Sequence, residues 1–347
     1  MEFLRGIKSS KEKKIASLFL GRKTKFDNLK ENIAYLKGKT MNQIITLTLA
    51  PAVDVEYHSA GSQPGLNRTY SHTVTAGGKG INVSRAILRL AEANETPLPL
   101  KTVFPCAGET GTLLRNLLEN EGMDTNGAVE TSGSTRVNTS LIPDHGREIE
   151  INAPGAPLTE DELAEIEERV LDNLLPGDVV CICGSVPAGV AKSYPAHLAK
   201  KVRRRGGIAV LDCDGEALIE AAKMDEDDAA DLIKPNSAEL SGLLSSLRPE
   251  FACFAKDGVR SENELRAACK ALPFGSVIMT MAGDGSMYCS GGEVFTQGTT
   301  SVKVARLKGA GDTFLGAYVY YRYIAEDSAR DAMAKASAEA ARYVAGD

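Results

Sequence analysis

From position 43 onward, the hydrophobic and polar positions of the chain fall into two alternating periods. Short β-branched or continuous apolar runs bounded by turn residues lie at 43–49, 178–183, 208–212, 231–234 and 276–281, and each predicts a strand. Between them, apolar residues recur at helical spacing over 81–93, 110–121, 160–174, 190–205, 237–245, 261–271, 313–325 and 328–345. Thr159-Glu160-Asp161-Glu162 reads as a capping box that opens the 160–174 helix. Strands separated by helices imply right-handed crossovers, hence an α/β fold with a mostly parallel sheet covered on both faces. Ligands on such sheets bind in the loops at the carboxyl ends of the strands.

Two segments break the pattern. Residues 53–75 and 136–152 lack helical periodicity and read as short strands with turns. Arg147-Glu148-Ile149-Glu150-Ile151-Asn152 alternates as a half-exposed strand does, and Asp144-His145-Gly146 supplies a hairpin turn before it. Together they predict a small antiparallel sheet beside the ligand edge, acting as a lid, as an interface, or as both. There is no internal repeat and no low-complexity tract.

Composition narrows the class. The 347 residues are 43% hydrophobic and 25% charged, with a net charge of −6. That balance suits a soluble globular protein and gives no sign of general nucleic-acid or membrane binding. No apolar run approaches a membrane span and no secretory signal is visible, so a cytoplasmic protein is expected. Seven cysteines without a Cys-x-x-Cys pair read as reduced thiols, with Cys181 and Cys183 on one face of a strand as small hydrophobes. Residues 1–40 differ, with eleven basic against four acidic side chains; this surplus of seven leaves the remainder at −13. They read as a basic appendage outside a domain spanning 41–347, with a tail touching an acidic surface as the functional alternative.

The chemistry concentrates in a few loops. Lys308-Gly309-Ala310-Gly311-Asp312-Thr313-Phe314 is a glycine-rich turn running into an apolar helix, a start that suits an anion, above all phosphate. Asp312 sits where N-cap chemistry favours Asp, yet a carboxylate beside a phosphate cradle is awkward unless it takes a proton from an attacking alcohol. Ala76-Gly77-Gly78-Lys79-Gly80-Ile81-Asn82 is a second glycine turn opening a helix. Asp54 is read as a carboxylate at the end of the first strand, in Leu47-Thr48-Leu49-Ala50-Pro51-Ala52-Val53-Asp54. Cys183-Gly184-Ser185 and Lys234-Pro235-Asn236-Ser237-Ala238-Glu239 end two further strands.

These motifs together resemble the ribokinase (PfkB) family of ATP-dependent sugar kinases, from about Met41 to the end of the chain. The Thr-Leu-Thr-Leu-x-Pro-x-x-Asp opening, Thr135-Arg136-x-Asn138, Asn152-Ala153-Pro154-Gly155 and Leu211–Leu218 resemble its phosphosugar branch, which holds 1-phosphofructokinase, tagatose-6-phosphate kinase and the minor 6-phosphofructokinase. The resemblance implies a ribokinase-like three-layer fold with a small β lid. It implies ATP-dependent phosphorylation of a ketohexose phosphate, foremost fructose 1-phosphate to fructose 1,6-bisphosphate, with tagatose 6-phosphate or fructose 6-phosphate as alternatives. A non-catalytic sugar-phosphate sensor on the same fold is the rival from another class.

Roles follow by resemblance and chemistry together. Asp312 is expected as general base, and the backbone amides of Gly309, Ala310 and Gly311 as the anion hole. Asp54 and Asn82 would hold sugar hydroxyls, with Gly78 allowing close approach. Lys79, Arg136 and Ser185 would bind the phosphate already on the substrate, Arg136 through its planar fork. Asn236 and Glu239 resemble the element that organises Mg²⁺. Lys234 and the loop Thr280-Met281-Ala282-Gly283-Asp284-Gly285 are expected at ATP, with Ala282 standing where relatives usually carry Gly. Lys308 replaces the residue usual before Gly-Ala-Gly-Asp, in a region that often holds a monovalent cation, and its ammonium could supply that charge. A homodimer through the lid is expected. The chain also ends sooner after its last helix than relatives do, which suggests a missing final segment.

Overall fold

The computed structural model describes residues 42–247, 258–259 and 261–346; the basic appendage read at 1–40 lies outside the described residues. The chain enters through β1 (Ile44–Thr48), then forms β2 (Ala52–Ser59) and β3 (Ser71–Gly77). Helix α1 (Lys79–Ala93) leads to β4 (Leu100–Cys106), α2 (Gly108–Asn120) and β5 (Ala128–Glu130). Strands β6 (Arg136–Pro143) and β7 (Ile149–Ile151) precede α3 (Glu160–Leu171), β8 (Val179–Cys183) and α4 (Tyr194–Arg204). Next come β9 (Ile208–Asp212), α5 (Gly215–Ala221), β10 (Leu232–Ile233) and α6 (Ser237–Leu247). The last part holds α7 (Glu262–Lys270), β11 (Ser276–Thr280), β12 (Ser286–Ser290), β13 (Glu293–Gln297), α8 (Ala310–Val319) and α9 (Ala329–Ala345).

The large sheet has nine strands in the order β13-β12-β11-β10-β9-β8-β1-β4-β5. All its neighbours pair in parallel except β11 with β12 and β12 with β13, which close one edge as antiparallel ribbons. Because β8 is buried on both sides, its residues divide by parity. Val180 and Ile182 join the core under α3 to α7, while Val179, Cys181 and Cys183 join the core under α1, α8 and α9. The two cysteines thus share a face as small hydrophobes, and burial pushes both thiols up. A four-stranded sheet, β3-β2-β6-β7, stands apart from the large one. Its two hairpin pairs are antiparallel, and the β2–β6 pair that joins them is parallel. No described helix is long and apolar enough to cross a membrane.

Several elements depart from the sequence expectation. β4, β5, α5, β12 and β13 were not predicted; in β4, Pro105 lies beyond Val103, the last residue paired with β1. Helix α4 begins at Tyr194 and α8 at Ala310, against the expected 190 and 313, and one turn of π-helix (Tyr320–Ile324) closes α8. The earlier start of α8 follows from Gly309, whose left-handed φ of 88° makes it the N-cap. Asp54 also lies on β2 of the small sheet and not at the end of β1, since the chain breaks over Leu49–Pro51 between them.

One buried polar ladder fixes α1 on the sheet. Ser84 Oγ lies 2.7 Å from Thr46 Oγ1 and accepts from Thr102 Oγ1 at 2.8 Å, while Thr48 Oγ1 accepts from Ile81 N. Helix α8 then crosses α1 at Gly316. A Cβ there would stand 2.7 Å from Val83 O and 2.8 Å from Ala86 Cβ, so only glycine permits the approach. Gly316→Ala is therefore expected to lower stability by about 1–3 kcal/mol, from overpacking, in chemical denaturation.

Candidate active site

Asp312 occupies the first turn of α8, not its N-cap, so the capping alternative is corrected: its Oδ2 accepts from Asn82 Nδ2 at 2.7 Å across to α1. It is 9% exposed and surrounded by charge. Burial pushes its carboxyl above the usual range and Asp212 pushes the same way; the Asn82 bond, Lys234 and Lys79 oppose them.

Asp212 ends β9, almost wholly buried. Lys234 Nζ lies 3.3 Å from its Oδ2, and Lys79 Nζ 3.9 Å from its Oδ1 and 4.0 Å from Asp214 Oδ2. Asp212 Oδ2 makes no hydrogen bond, the Lys234 contact being one of charge only. Burial works against a charged Lys79, yet Asp212, Asp214, Glu239 and Asp312 together hold its pKa above the usual lysine value. Lys234 also lies 3.6 Å from where a Gly311 Cβ would stand, so the ammonium abuts the helix start.

At that helix start the Ala310 N–H of the expected anion hole donates to Leu307 O at 3.1 Å. Thr313 N donates to Gly309 O, and at this helix start the amides of Gly309, Gly311 and Asp312 have no backbone acceptor among the described residues. The turn is braced from α9: Tyr343 Oη donates to Lys308 O at 2.7 Å, under the guanidinium of Arg306.

The second glycine turn faces this one. Gly78 has φ 133° and stands where a Cβ would meet Thr48 Cγ2 at 2.6 Å, while Gly77 makes room for the Asp54 carboxylate. Asp54 Oδ1 accepts from Asn138 Nδ2 at 2.8 Å, and its Oδ2 pairs with Lys308 Nζ at 3.1 Å. Lys308 thus reaches across to the small sheet. Gly184 packs near the Lys79 stem and leaves Ser185 exposed beside it. Arg136 donates to Ala50 O and Ala153 O, and its buried Nε has no partner.

Asn236 and Glu239 form a reciprocal cap on α6: Asn236 N donates to Glu239 Oε2 and Glu239 N to Asn236 Oδ1, both at 2.8 Å. An isolated parallel bridge joins Asn236 to Thr280, which carries the 280–285 loop alongside. Ala282 there has φ 49°, and Gly285 N donates to Ala282 O. Among the described residues there is no cluster of three or more metal-type ligands. The sequence reading had not placed Asp212 in the site. Asp212 carried a visible signal, the lone carboxylate at the tip of Ile-Ala-Val-Leu-Asp.

A carboxylate kept dry beside free helix-start amides and two lysines suits a group-transfer enzyme handling phosphates, and the layering places it among ribokinase-like α/β sugar kinases. The sequence pattern of the pfkB family carbohydrate kinases matches residues 39–345, and the chain belongs to that family. It is 30% identical over 286 residues to the 1-phosphofructokinase of Bacillus subtilis (strain 168), covering 80% of this chain and 84% of that one. It is 30% identical over 282 residues to the ATP-dependent 6-phosphofructokinase isozyme 2 of Escherichia coli (strain K12), again covering 80% and 84%. The crystal structure of phosphofructokinase-2 from Escherichia coli in complex with fructose-6-phosphate superposes with a TM-score of 0.76, at 28% identity over 88% of this chain and 94% of that one. A structure of that enzyme in complex with potassium gives the same TM-score, covering 88% and 93%. The chain is a sugar-phosphate kinase, a phosphotransferase with ATP as donor. Kinase relatives leave the sensor alternative without support.

The left-handed Ala282 is strained where glycine is not. Ala282→Gly should therefore raise stability by about 1 kcal/mol or less, read as a small rise in the thermal midpoint.

Proposed function

We propose that this kinase phosphorylates fructose 1-phosphate to fructose 1,6-bisphosphate. The observation that carries the chemistry is the Asp312 carboxylate, fixed by Asn82 and following the unpaired amides of Gly309 and Gly311 in one helix start. Asp312 takes the proton of the sugar hydroxyl as its oxygen attacks the γ-phosphorus of ATP. The new O–P bond forms while the bond to the β-phosphate oxygen breaks, and ADP leaves. The free amides and Lys234 stabilise charge on the migrating group. Asp54 and Asn82 position sugar hydroxyls, while Lys79, Ser185 and Arg136 meet the phosphate the substrate already carries. Arg136 must exchange its carbonyl partners and swing out to do so, which would also give its buried, unpaired Nε a partner. The 280–285 loop lies along the nucleotide.

The acidic groups fit Mg²⁺, which keeps most of its waters and needs few protein oxygens. The cap uses one carboxylate oxygen of Glu239, and Asp212 Oδ2 is buried without a hydrogen bond. Glu239 and Asp212 would hold the ion, with Asn236 fixing Glu239; the metal supplies charge neutralisation on the ATP phosphates.

The sugar assignment leans on the 1-phosphofructokinase relative. Fructose 6-phosphate is the second reading, favoured by the Escherichia coli relative, and tagatose 6-phosphate is a third of the same chemistry. The outward face of the small sheet, with Val137, Ile149 and Ile151 at 38%, 43% and 61% exposed, suits pairing with a second copy. A cytoplasmic location goes with this metabolic role.

A coupled ADP-release assay over free and phosphorylated sugars tests the reading. Fructose 1-phosphate should give the highest kcat/KM, and Asp312→Asn should lose about 10²–10⁴-fold in kcat with little change in sugar binding. Preference for free sugars, or an active Asp312→Asn, would overturn it. Because burial raises the Asp312 pKa, activity should fall with acid at a higher pH than an ordinary carboxylate would dictate.

Lys308 bears on the monovalent cation. With an ammonium fixed at 3.1 Å from Asp54 beside the anion hole, turnover should need little K⁺, and Lys308→Met should acquire K⁺ dependence. A strict K⁺ requirement with full activity in Lys308→Met would defeat this.

A further inference from the structure

Arg85 lies one turn beyond Asn82 on α1 and makes four hydrogen bonds. Its Nη1 donates to Asn82 Oδ1 at 2.6 Å and Nη2 to Ala76 O at 2.9 Å on β3. Nε and Nη2 grip the two oxygens of Glu121, at the end of α2, at 2.6 and 3.1 Å. These bonds spread over three elements hold the guanidinium in one place. Arginine has donors only, so the atom of Asn82 that faces it has to be the amide oxygen. The NH₂ group must then face the other way, and there it meets Asp312 Oδ2 at 2.7 Å. A flipped amide would set NH₂ against guanidinium and oxygen against carboxylate, losing both bonds.

We infer that Arg85 is a positioning residue that locks the Asn82 amide with its NH₂ toward Asp312, and so sets the pH range over which that carboxylate can take a proton. The inference rests on the proposed role of Asp312 as base. The groups facing Asp312 are Asp212 from the end of β9, Lys234 after β10, Lys79 and Asn82 from α1, and Cys183 from the end of β8. Asp214 and Glu239 act on it at one remove, through Lys79. Of these, the Asn82 amide is the group whose effect reverses with a simple rotation. With NH₂ inward it favours the ionised base; with oxygen inward it favours the protonated one. Arg85 itself is neutralised by Glu121, so its influence passes through the amide.

The test is the pH profile of kcat for the full-length enzyme, Arg85→Met against wild type. The acid limb should move up by about one pH unit or more, with a smaller rise in sugar KM than fall in kcat at neutral pH. Arg85→Lys, which restores one donor, should recover part of the shift, and Glu121→Gln, which loosens the guanidinium, should shift the limb less in the same direction. In an Asn82→Ala background, Arg85→Met should shift nothing further. If Arg85→Met does not fold, judged by its thermal midpoint, Glu121→Gln and Arg85→Lys decide the matter. An acid limb at its wild-type position in the folded variants overturns the inference. Asp312→Asn keeps the outcomes apart: its inactivity with unmoved Arg85 profiles defeats the positioning role alone, whereas its full activity defeats the general-base reading itself.

Discussion

The structure depends on keeping two carboxylates, Asp212 and Asp312, out of water at one edge of a sheet. Desolvating an ionised carboxylate costs several kcal/mol unless partners replace the lost hydration. Here the partners arrive from four places: Lys234 after β10, Lys79 at the start of α1, Asn82 one turn on, and the unpaired amides at the start of α8. None of these lies near Asp212 or Asp312 in sequence except the α8 amides. The charge balance therefore holds only if β9, β10, α1 and α8 converge, and the parallel sheet with crossovers on both faces supplies that convergence. Gly316 and the Thr46–Ser84–Thr102 ladder set α1 and α8 against each other and against the sheet.

The small sheet contributes differently. Its inner face presents Asp54 and Asn138, opposite each other in the β2–β6 pair, to the same edge. Its other face carries the apolar residues. A strand's two faces thus divide two tasks, and a one-residue slip of register would exchange them. Lys308 ties the inner face to the α8 turn by an ion pair, while Val53 and Ala76 of the small sheet pack with Phe104 and Cys106 of the large one.

The alternation of periods in the sequence was enough to give the α/β class, and both glycine turns announced themselves by composition. Asp312, Lys79 and Lys234 were legible because glycine turns and strand ends are where such sheets keep their chemistry. What stayed hidden has a common cause. The bond between Asn82 and Asp312 joins residues 230 apart, and that between Arg85 and Glu121 joins residues 36 apart, so no local pattern encodes either. The pairing of the Ala310 amide was hidden for a local reason: it closes the tight turn from Leu307 that starts α8. The short strand β5 has three residues, below the length at which a period can be read, whereas the two residues of β10 fall inside the strand expected at 231–234.

The distances separate cations that build the fold from those free to change partner. Arg85 meets Glu121 through two nitrogens, at 2.6 and 3.1 Å, a geometry that fixes both side chains. Lys234, Lys79 and Lys308 hold their carboxylates at 3.3, 3.9 and 3.1 Å, with one atom each. An ammonium balanced only at charge range loses little when a phosphate oxygen replaces the carboxylate, whereas breaking the Arg85 fork would leave a carboxylate, a carbonyl and an amide oxygen unpaired at once. On the proposed reading this division has a direct consequence. Phosphates entering the site draw the lysines away from Asp212 and Asp54, which leaves those carboxylates without a charged partner unless Mg²⁺ or sugar hydroxyls arrive with them. Meanwhile the Arg85–Asn82–Asp312 chain stays as it is. The base is thus oriented by the part of the site that does not move, while the charges that meet the substrate come from the part that can.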